Sequence, residues 1–280
     1  CWMNYVLVIN DRAVANVHLA KKERLYYQEE ELKQLEHMSQ LLATAINVAN
    51  LWEKERMLIL EFIHSLNVAL EVRDKYTAGH VERVKLYSEL MAIEMKFNKE
   101  ELELIKTAAI LHDLGKIGVR DSVLKKEGTL SAEEKKEIQQ HVIMTNEILK
   151  NLSYLDDARE LACYHHETFD GTGYVMGIKG EDIPMGARII AVADTFDAMT
   201  SDRPYRRAFF VEEALNILTD PSITQWDKEV VKVLINVLKT DNFKIKAEKE
   251  ELIRYKDGKY DRENSSLKFK QFTTFFGEKE

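Results

Sequence analysis

The chain has 280 residues, 45% of them hydrophobic, enough for one substantial domain plus a smaller attachment, and its formal net charge of -8 argues against a general nucleic-acid binder, which neutralises phosphates with a basic surface. Two cysteines form no disulfide framework, and the apolar runs at residues 5–9 and 187–193 fall far short of the ~20 residues of a membrane-spanning helix, so a cytoplasmic protein without membrane insertion is expected. With 3 prolines and 11 glycines to interrupt it, the chain reads as mainly α.

Residues 5–9 and 14–19 read as two short strands around the turn residues Asn10-Asp11-Arg12. Two strands alone cannot bury a core. The chain also begins at Cys1, and residues 1–22 are therefore expected to be the end of a sensor domain that continues upstream. These strands and the glutamate-rich helix that follows, as far as residue 51, resemble the closing strands and last helix of a GAF domain.

Residues 23–61 read as a linker helix. A heptad can be traced through Leu35, Met38, Leu42, Ala45, Ala49, Trp52, Arg56, Ile59, Ile63, Leu66 and Leu70, with Arg56 its only polar member. Such a stripe predicts a parallel coiled coil, and hence a homodimer over residues 35–70. Leu41, Ile46 and Leu51 lie off the stripe and fit instead a helix packed on its own domains.

Residues 62–240 form the helical domain. Asn98 with Glu101 makes a capping pattern that opens a helix running to Leu114, with Gly115 as its stop, so that His112 and Asp113 fall in the last turn. Ser131 with Glu134 opens a second capped helix whose inward face carries Ile138, His141, Thr145, Ile148 and Leu149. Residues 211–218 and 229–238 are amphipathic scaffold helices, and the charged tail, residues 241–280, packs peripherally or frays.

The chemistry sits in His112-Asp113, with Lys116 one turn on. Five of the eight histidines (His80, His112, His141, His165 and His166) join Asp113 and Asp194 on inward or helix-end positions. A single inward histidine is usually a satisfied core residue; five with two aspartates would be a costly filling for an apolar core. His18, His37 and His64 lie outside the group, and Cys163 reads as an ordinary buried cysteine.

Mixed nitrogen and oxygen donors suit iron, manganese or zinc over magnesium or calcium. Asp113 has two oxygens with which to bridge two ions, and solvent held between them loses its proton near neutral pH and can attack phosphorus. Lys116 would offset charge on a phosphoryl oxygen, unless it is a solvated helix-end lysine. The stretch Ser201-Asp202-Arg203-Pro204-Tyr205-Arg206-Arg207 offers forked guanidinium groups to phosphate, or is a surface turn paired with acids. Gly171 and Gly173 shape a loop in which Tyr174 stacks on a base or plugs the core.

The runs His112-Asp113-Leu114-Gly115-Lys116, His165-His166-Glu167 with Asp170-Gly171-Thr172-Gly173-Tyr174, Ala187-Arg188-Ile189 to Asp194, and Asp202-Arg203-Pro204-Tyr205-Arg206 together resemble an HD-GYP domain over residues 62–238. Asp74-Lys75-Tyr76-Thr77-Ala78-Gly79-His80 resembles that family's opening helix. The resemblance implies an HD-superfamily helical bundle and a bacterial phosphodiesterase that hydrolyses cyclic di-GMP to linear pGpG, and in many members onward to GMP. It implies one ion on His80, His112, Asp113 and Asp194, another on Asp113, His141, His165 and His166, and phosphate contacts from Lys116, Arg203 and Arg206.

Two departures stand out. A third ion, bound in some members, needs a glutamate where this chain has Tyr76, so two divalent ions are expected. Val175 replaces the family's proline after Tyr174, which frees the loop backbone and bears on any signalling protein that contacts Gly171, Thr172, Gly173 and Tyr174. A hydrolase of another cyclic dinucleotide or a nucleotide, and a non-catalytic nucleotide-binding signalling module, are the alternative readings.

Overall fold

The computed structural model describes residues 2–9, 12–20, 27–73, 79–126, 128–201 and 208–240. Contacts divide the chain into two compact units between Phe62 and Ile63. The expected tail, residues 241–280, lies outside the described residues.

In the first unit, β1 (Trp2–Ile9) pairs antiparallel with β2 (Arg12–Ala20), with an irregularity between Leu7 and Val8. The strands extend beyond the apolar runs that mark them in the sequence. A ladder bond satisfies a backbone group whatever its side chain, so pairing continues past the last apolar residue. Helix α1 (Glu29–Arg73), whose residues 63–73 belong to the second unit, is continuous over 45 residues and contains neither glycine nor proline. Its ends suit the helix dipole, with Glu29, Glu30 and Glu31 in the first turn and Arg73 in the last.

The heptad residues along α1 do not share one environment. Leu35 and Ile63 are buried, whereas Met38, Leu42 and Trp52 are exposed, Trp52 to 73%. Leu41 and Leu51, off the stripe, are exposed as well.

The second unit is a helical bundle. It contains α2 (His80–Glu94), α3 (Lys99–Leu111), a 3-10 turn (Leu114–Gly118), α4 (Asp121–Leu124), α5 (Ala132–Leu149), α6 (Asp156–Cys163), α7 (Met185–Thr200), α8 (Val211–Thr219) and α9 (Lys228–Leu238). Helix α7 lies in its middle and packs against α2, α3, α6, α8 and α9. Its central residues Ile189, Ile190, Val192, Ala193 and Phe196 are all buried, which explains why this helix reads as a continuous apolar run. Phe196 meets Tyr87 of α2 edge to face, 5.3 Å between ring centres, fixing the α2–α7 contact.

Both capping boxes form. Asn98 accepts from Glu100 and Glu101 amides while Glu101 accepts from the Asn98 amide, and Ser131 and Glu134 do the same for α5. The end of α3 departs from expectation. The helix stops at Leu111, and residues 114–118 wind into a tighter 3-10 turn, so Asp113 is released from the helix instead of occupying its last turn. Gly115 is not a left-handed stop residue. A Cβ there would lie 1.9 Å from the His141 carbonyl oxygen, so glycine is required for the 3-10 turn to lie against α5.

Among the described residues, no helix is long and apolar enough to cross a membrane.

Candidate metal centre

Five helices bring the predicted residues to one place. His80 is the first residue of α2, His112 caps α3 and Asp113 follows it, His141 lies within α5, His165 and His166 follow α6, and Asp194 lies in α7. Ligand atoms of His80, His112 and Asp194 cluster within 4.8 Å of one another, as do those of His141, His165 and His166, and those of His112, Asp113 and His165. The third cluster joins the other two.

The hydrogen bonds of the imidazoles decide what each can offer. His112 Nδ1 donates to the Ala109 carbonyl at 2.8 Å, His141 Nδ1 to Ile138 at 2.6 Å, and His165 Nδ1 to Ala162 at 2.5 Å. In each case the acceptor is three residues back, and a carbonyl can only accept. Nδ1 must therefore carry the hydrogen, which leaves the lone pair on Nε2. Those three Nε2 atoms are buried without a hydrogen-bond partner.

Asp113 stands among them. Its Oδ2 lies 3.3 Å from His112 Nε2 and 3.4 Å from His80 Nε2, while its Oδ1 lies 3.5 Å from His141 Nε2. Asp194 Oδ1 is 3.3 Å from His80 Nε2. The unpartnered Nε2 lone pairs of His112 and His141 facing the Asp113 carboxylate at this range, away from water, repel it unless a cation lies between them. The donors present thus fit divalent metal ions, with one Asp113 oxygen directed to each side.

Electrostatics keeps these groups in ligating form. Burial pushes His165 down to about 3, helped by His112 and His141, and it lowers His141 despite the nearby Asp113. His166 is held well below the ordinary histidine range by burial and by His165. Burial would raise Asp113, but Lys116 and His112 outweigh it and keep the carboxylate ionised; His80 and His112 do the same for Asp194. His80 is the exception. Burial opposes its charge, yet the bonds to Asp113 and Asp197 raise it to about 9.

Lys116 Nζ is 2.5 Å from Asp113 Oδ2, so the lysine is paired at the site and is not a freely solvated one. Tyr174 stacks on His166 with ring centres 4.9 Å apart. The loop that carries it is latched by Glu167, whose buried side chain accepts from the amides of Met176 at 2.5 Å and Gly177 at 3.2 Å. A Cβ on Gly173 would lie 2.5 Å from the His166 carbonyl oxygen, so a close backbone crossing demands glycine there. Asp170 accepts from Thr168, Thr172 and Thr224 and pins the other end of the loop.

All seven predicted metal ligands, with Lys116 and Tyr174, are therefore gathered in one region. Arg203 and Arg206 lie outside the described residues, as does Tyr76. Arg188, part of the same motif set, faces elsewhere: it binds the Ile183 carbonyl at 2.9 Å and Asp227 at 2.8 Å. Sequence reasoning missed Asp197 and Arg83. Asp197 Oδ2 is 2.8 Å from His80 Nδ1, and Arg83 Nε donates to Asp197 Oδ1 at 2.5 Å. The signal was spacing: Asp197 follows Asp194, and Arg83 follows His80, by three residues on one helix face.

It also missed the last turns of α1. Asn67 donates to the Ile110 carbonyl at 2.6 Å, Glu71 accepts from the amides of Gly79 and Val81 at the start of α2, and Arg73 donates to the carbonyls of Ile117 and Val119. These contacts brace the backbone on both sides of the His112 to Lys116 run. No short motif marks them.

Comparison with known proteins gives a family match over residues 65–230, to a model described as an HD domain. A 3'3'-cGAMP-specific phosphodiesterase of Vibrio cholerae is 38% identical over 169 residues, 60% of this chain and 37% of that protein. A cyclic di-GMP phosphodiesterase of Thermotoga maritima is 37% identical over 203 residues, 72% of this chain and 55% of that protein. A cyclic di-GMP phosphodiesterase response regulator of Xanthomonas campestris is 36% identical over 215 residues, 76% of this chain and 55% of that protein. The chain thus spans between about a third and just over half of these relatives' lengths.

Proposed function

Because the chain belongs to the HD domain family, we propose that it is a metal-dependent phosphodiesterase that hydrolyses cyclic di-GMP to linear pGpG, with product analysis deciding whether cleavage continues to GMP. One observation carries the reading. Three buried imidazole nitrogens with no hydrogen-bond partner surround a carboxylate whose two oxygens face different ligand clusters. His80, His112, Asp113 and Asp194 would hold one divalent ion, and Asp113, His141, His165 and His166 a second, iron or manganese being favoured over zinc. Such ions, when bound, polarise a phosphodiester and activate water for attack on phosphorus.

The chain's own groups do the rest. Lys116 places its Nζ beside Asp113, where it would offset charge on a phosphoryl oxygen, and Arg203 and Arg206 would clamp the phosphates. Tyr174, stacked on His166, would contact the substrate from its loop. A second reading, 3'3'-cGAMP as the preferred substrate, is favoured by the 38% identical relative that bears that specificity in its name.

Domains 1–22, 23–61 and 62–240 would form a sensor remnant, a signalling helix and the catalytic domain of a cytoplasmic signalling enzyme. Exposed Met38, Leu42 and Trp52 favour α1 as the seam of a parallel homodimer, and exposed Val175 and Met176 suit a signalling protein at the loop. A monomer in light scattering at micromolar concentration would remove the seam.

The decisive assay incubates protein loaded with iron, manganese or zinc, without oxygen, with each of the two cyclic dinucleotides and separates the products. Linear product from cyclic di-GMP, absent with Asp113→Ala, is expected. Faster turnover of 3'3'-cGAMP selects the second reading. No hydrolysis of either above the Asp113→Ala control overturns the enzyme and leaves a nucleotide-binding module.

A further inference from the structure

The histidines of the centre are not held alike. His112, His141 and His165 each donate Nδ1–H to the carbonyl three residues behind, a neutral acceptor supplied by the local chain. His80 opens α2, so its own helix offers no carbonyl three residues back. Its Nδ1 lies instead 2.8 Å from Asp197 Oδ2, a carboxylate on α7, 117 residues away in sequence.

Asp197 is itself locked. Its side chain is buried, and Arg83 donates to it twice, from Nε to Oδ1 at 2.5 Å and from Nη2 to Oδ2 at 3.0 Å. Arg83 Nη2 also reaches Ser201 Oγ at 3.1 Å, at the far end of α7. Both Asp197 oxygens receive N–H groups of the forked guanidinium, which presents the carboxylate to His80 as an acceptor.

We infer that Asp197 is a positioning residue that fixes the His80 ring and makes the His80–His112–Asp194 side of the centre the tighter of two cation sites. The inference rests on the metal-centre reading above. A carboxylate behind an imidazole enriches the ligating nitrogen and fixes its direction, and loss of such a partner typically lowers metal affinity ~10–100-fold. Among the described residues, no carboxylate stands behind an imidazole on the His141–His165–His166 side, where His141 and His165 rest on backbone carbonyls. The two sites are thus built to differ in affinity.

The test is Asp197→Asn in the full chain, titrated with zinc and with manganese in competition with a chelator of known affinity. The amide keeps the volume and one acceptor but loses the charge. Two-step binding is expected for the unaltered protein. In the variant the tighter step should weaken ~10–100-fold while the weaker one stays within about threefold. Unchanged affinities at both steps overturn the proposal, and so does equal weakening of both, which marks Asp197 as scaffold alone.

Should Asp197→Asn fail to fold, the zinc-loaded unaltered protein decides by nitrogen-15 NMR of its histidine rings. The His80 Nδ1–H proton should resonate downfield of those of His112, His141 and His165, because its acceptor is a carboxylate. Coincident shifts overturn the proposal. An unaltered protein that takes up no ion overturns the metal-centre reading, and this one with it.

Discussion

Replacing Gly115 with alanine tests whether the centre depends on the close approach of the 3-10 turn to α5. The new methyl carbon would lie 1.9 Å from the His141 carbonyl oxygen and 2.6 Å from the Thr145 nitrogen, both backbone atoms. An ordinary carbon–oxygen contact is about 3.4 Å, so the turn and α5 must part by roughly 1.5 Å. Asp113 and His141 sit on opposite sides of that contact, only 3.5 Å apart through Oδ1 and Nε2, and the bond from the Gly115 amide to Thr145 Oγ1, 2.9 Å, would be strained as well. Overpacking of this kind costs ~1–3 kcal/mol of stability, and a 1 Å misplacement at a reacting centre costs ~100-fold in rate. Hydrolysis of a cyclic dinucleotide should therefore fall at least ~100-fold, with loss of the ion assigned to the His141 side, read by elemental analysis. Gly118→Ala is the internal control. Its methyl would meet Met144 Sδ, the adaptable end of a flexible side chain, and should cost under ~1 kcal/mol and leave the rate within a few-fold. Gly115→Ala with full metal content and a rate within threefold of the unaltered protein would refute the argument.

Three further outcomes follow from the bonding. Stability of the metal-free chain should peak near pH 6.5. His80, raised to about 9, contributes fully below the unfolded histidine value and loses that contribution as pH rises through 9, on the order of 3 kcal/mol; His165, lowered to about 3, loses stability as pH falls from 6.5 toward 3. Thermal unfolding across pH 4–10 with chelator present checks both limbs, and flat behaviour between pH 7 and 9 contradicts the His80 assignment. Arg188→Ala should cost ~3–5 kcal/mol in urea unfolding, because it strands the buried Asp227 carboxylate that caps α9, while leaving metal content unchanged. Glu167→Ala should speed hydrogen exchange at the Met176 and Gly177 amides by ~10–100-fold, since each loses its acceptor; exchange as slow as before would show that another group holds the loop.

How much of this was legible in the sequence divides along the range of the interaction. Capping boxes at Asn98 and Ser131 are local, set by residues three apart, and both formed. The gathering of five histidines and two aspartates was legible for a different reason: burying such a set has so few inexpensive explanations that residue type alone carries the information. Gly115 shows the opposite case. A glycine after a helix reads locally as a left-handed stop, but its constraint comes from a carbonyl on α5, 26 positions away, which no local pattern encodes. The same holds for Asn67, Glu71 and Arg73, whose partners are backbone groups of other segments and leave no residue-type signature. Asp197 lies between these extremes. Its spacing from Asp194 places it on the ligand-bearing face of α7, yet an aspartate on that face could serve as a ligand, an ion-pair partner or a brace. Only the docking of α2 against α7, which brings His80 and Arg83 to it together, selects the brace. A buried cluster of metal-ligating residue types can therefore be read from composition, whereas the groups that orient its members become visible only once the helices are placed.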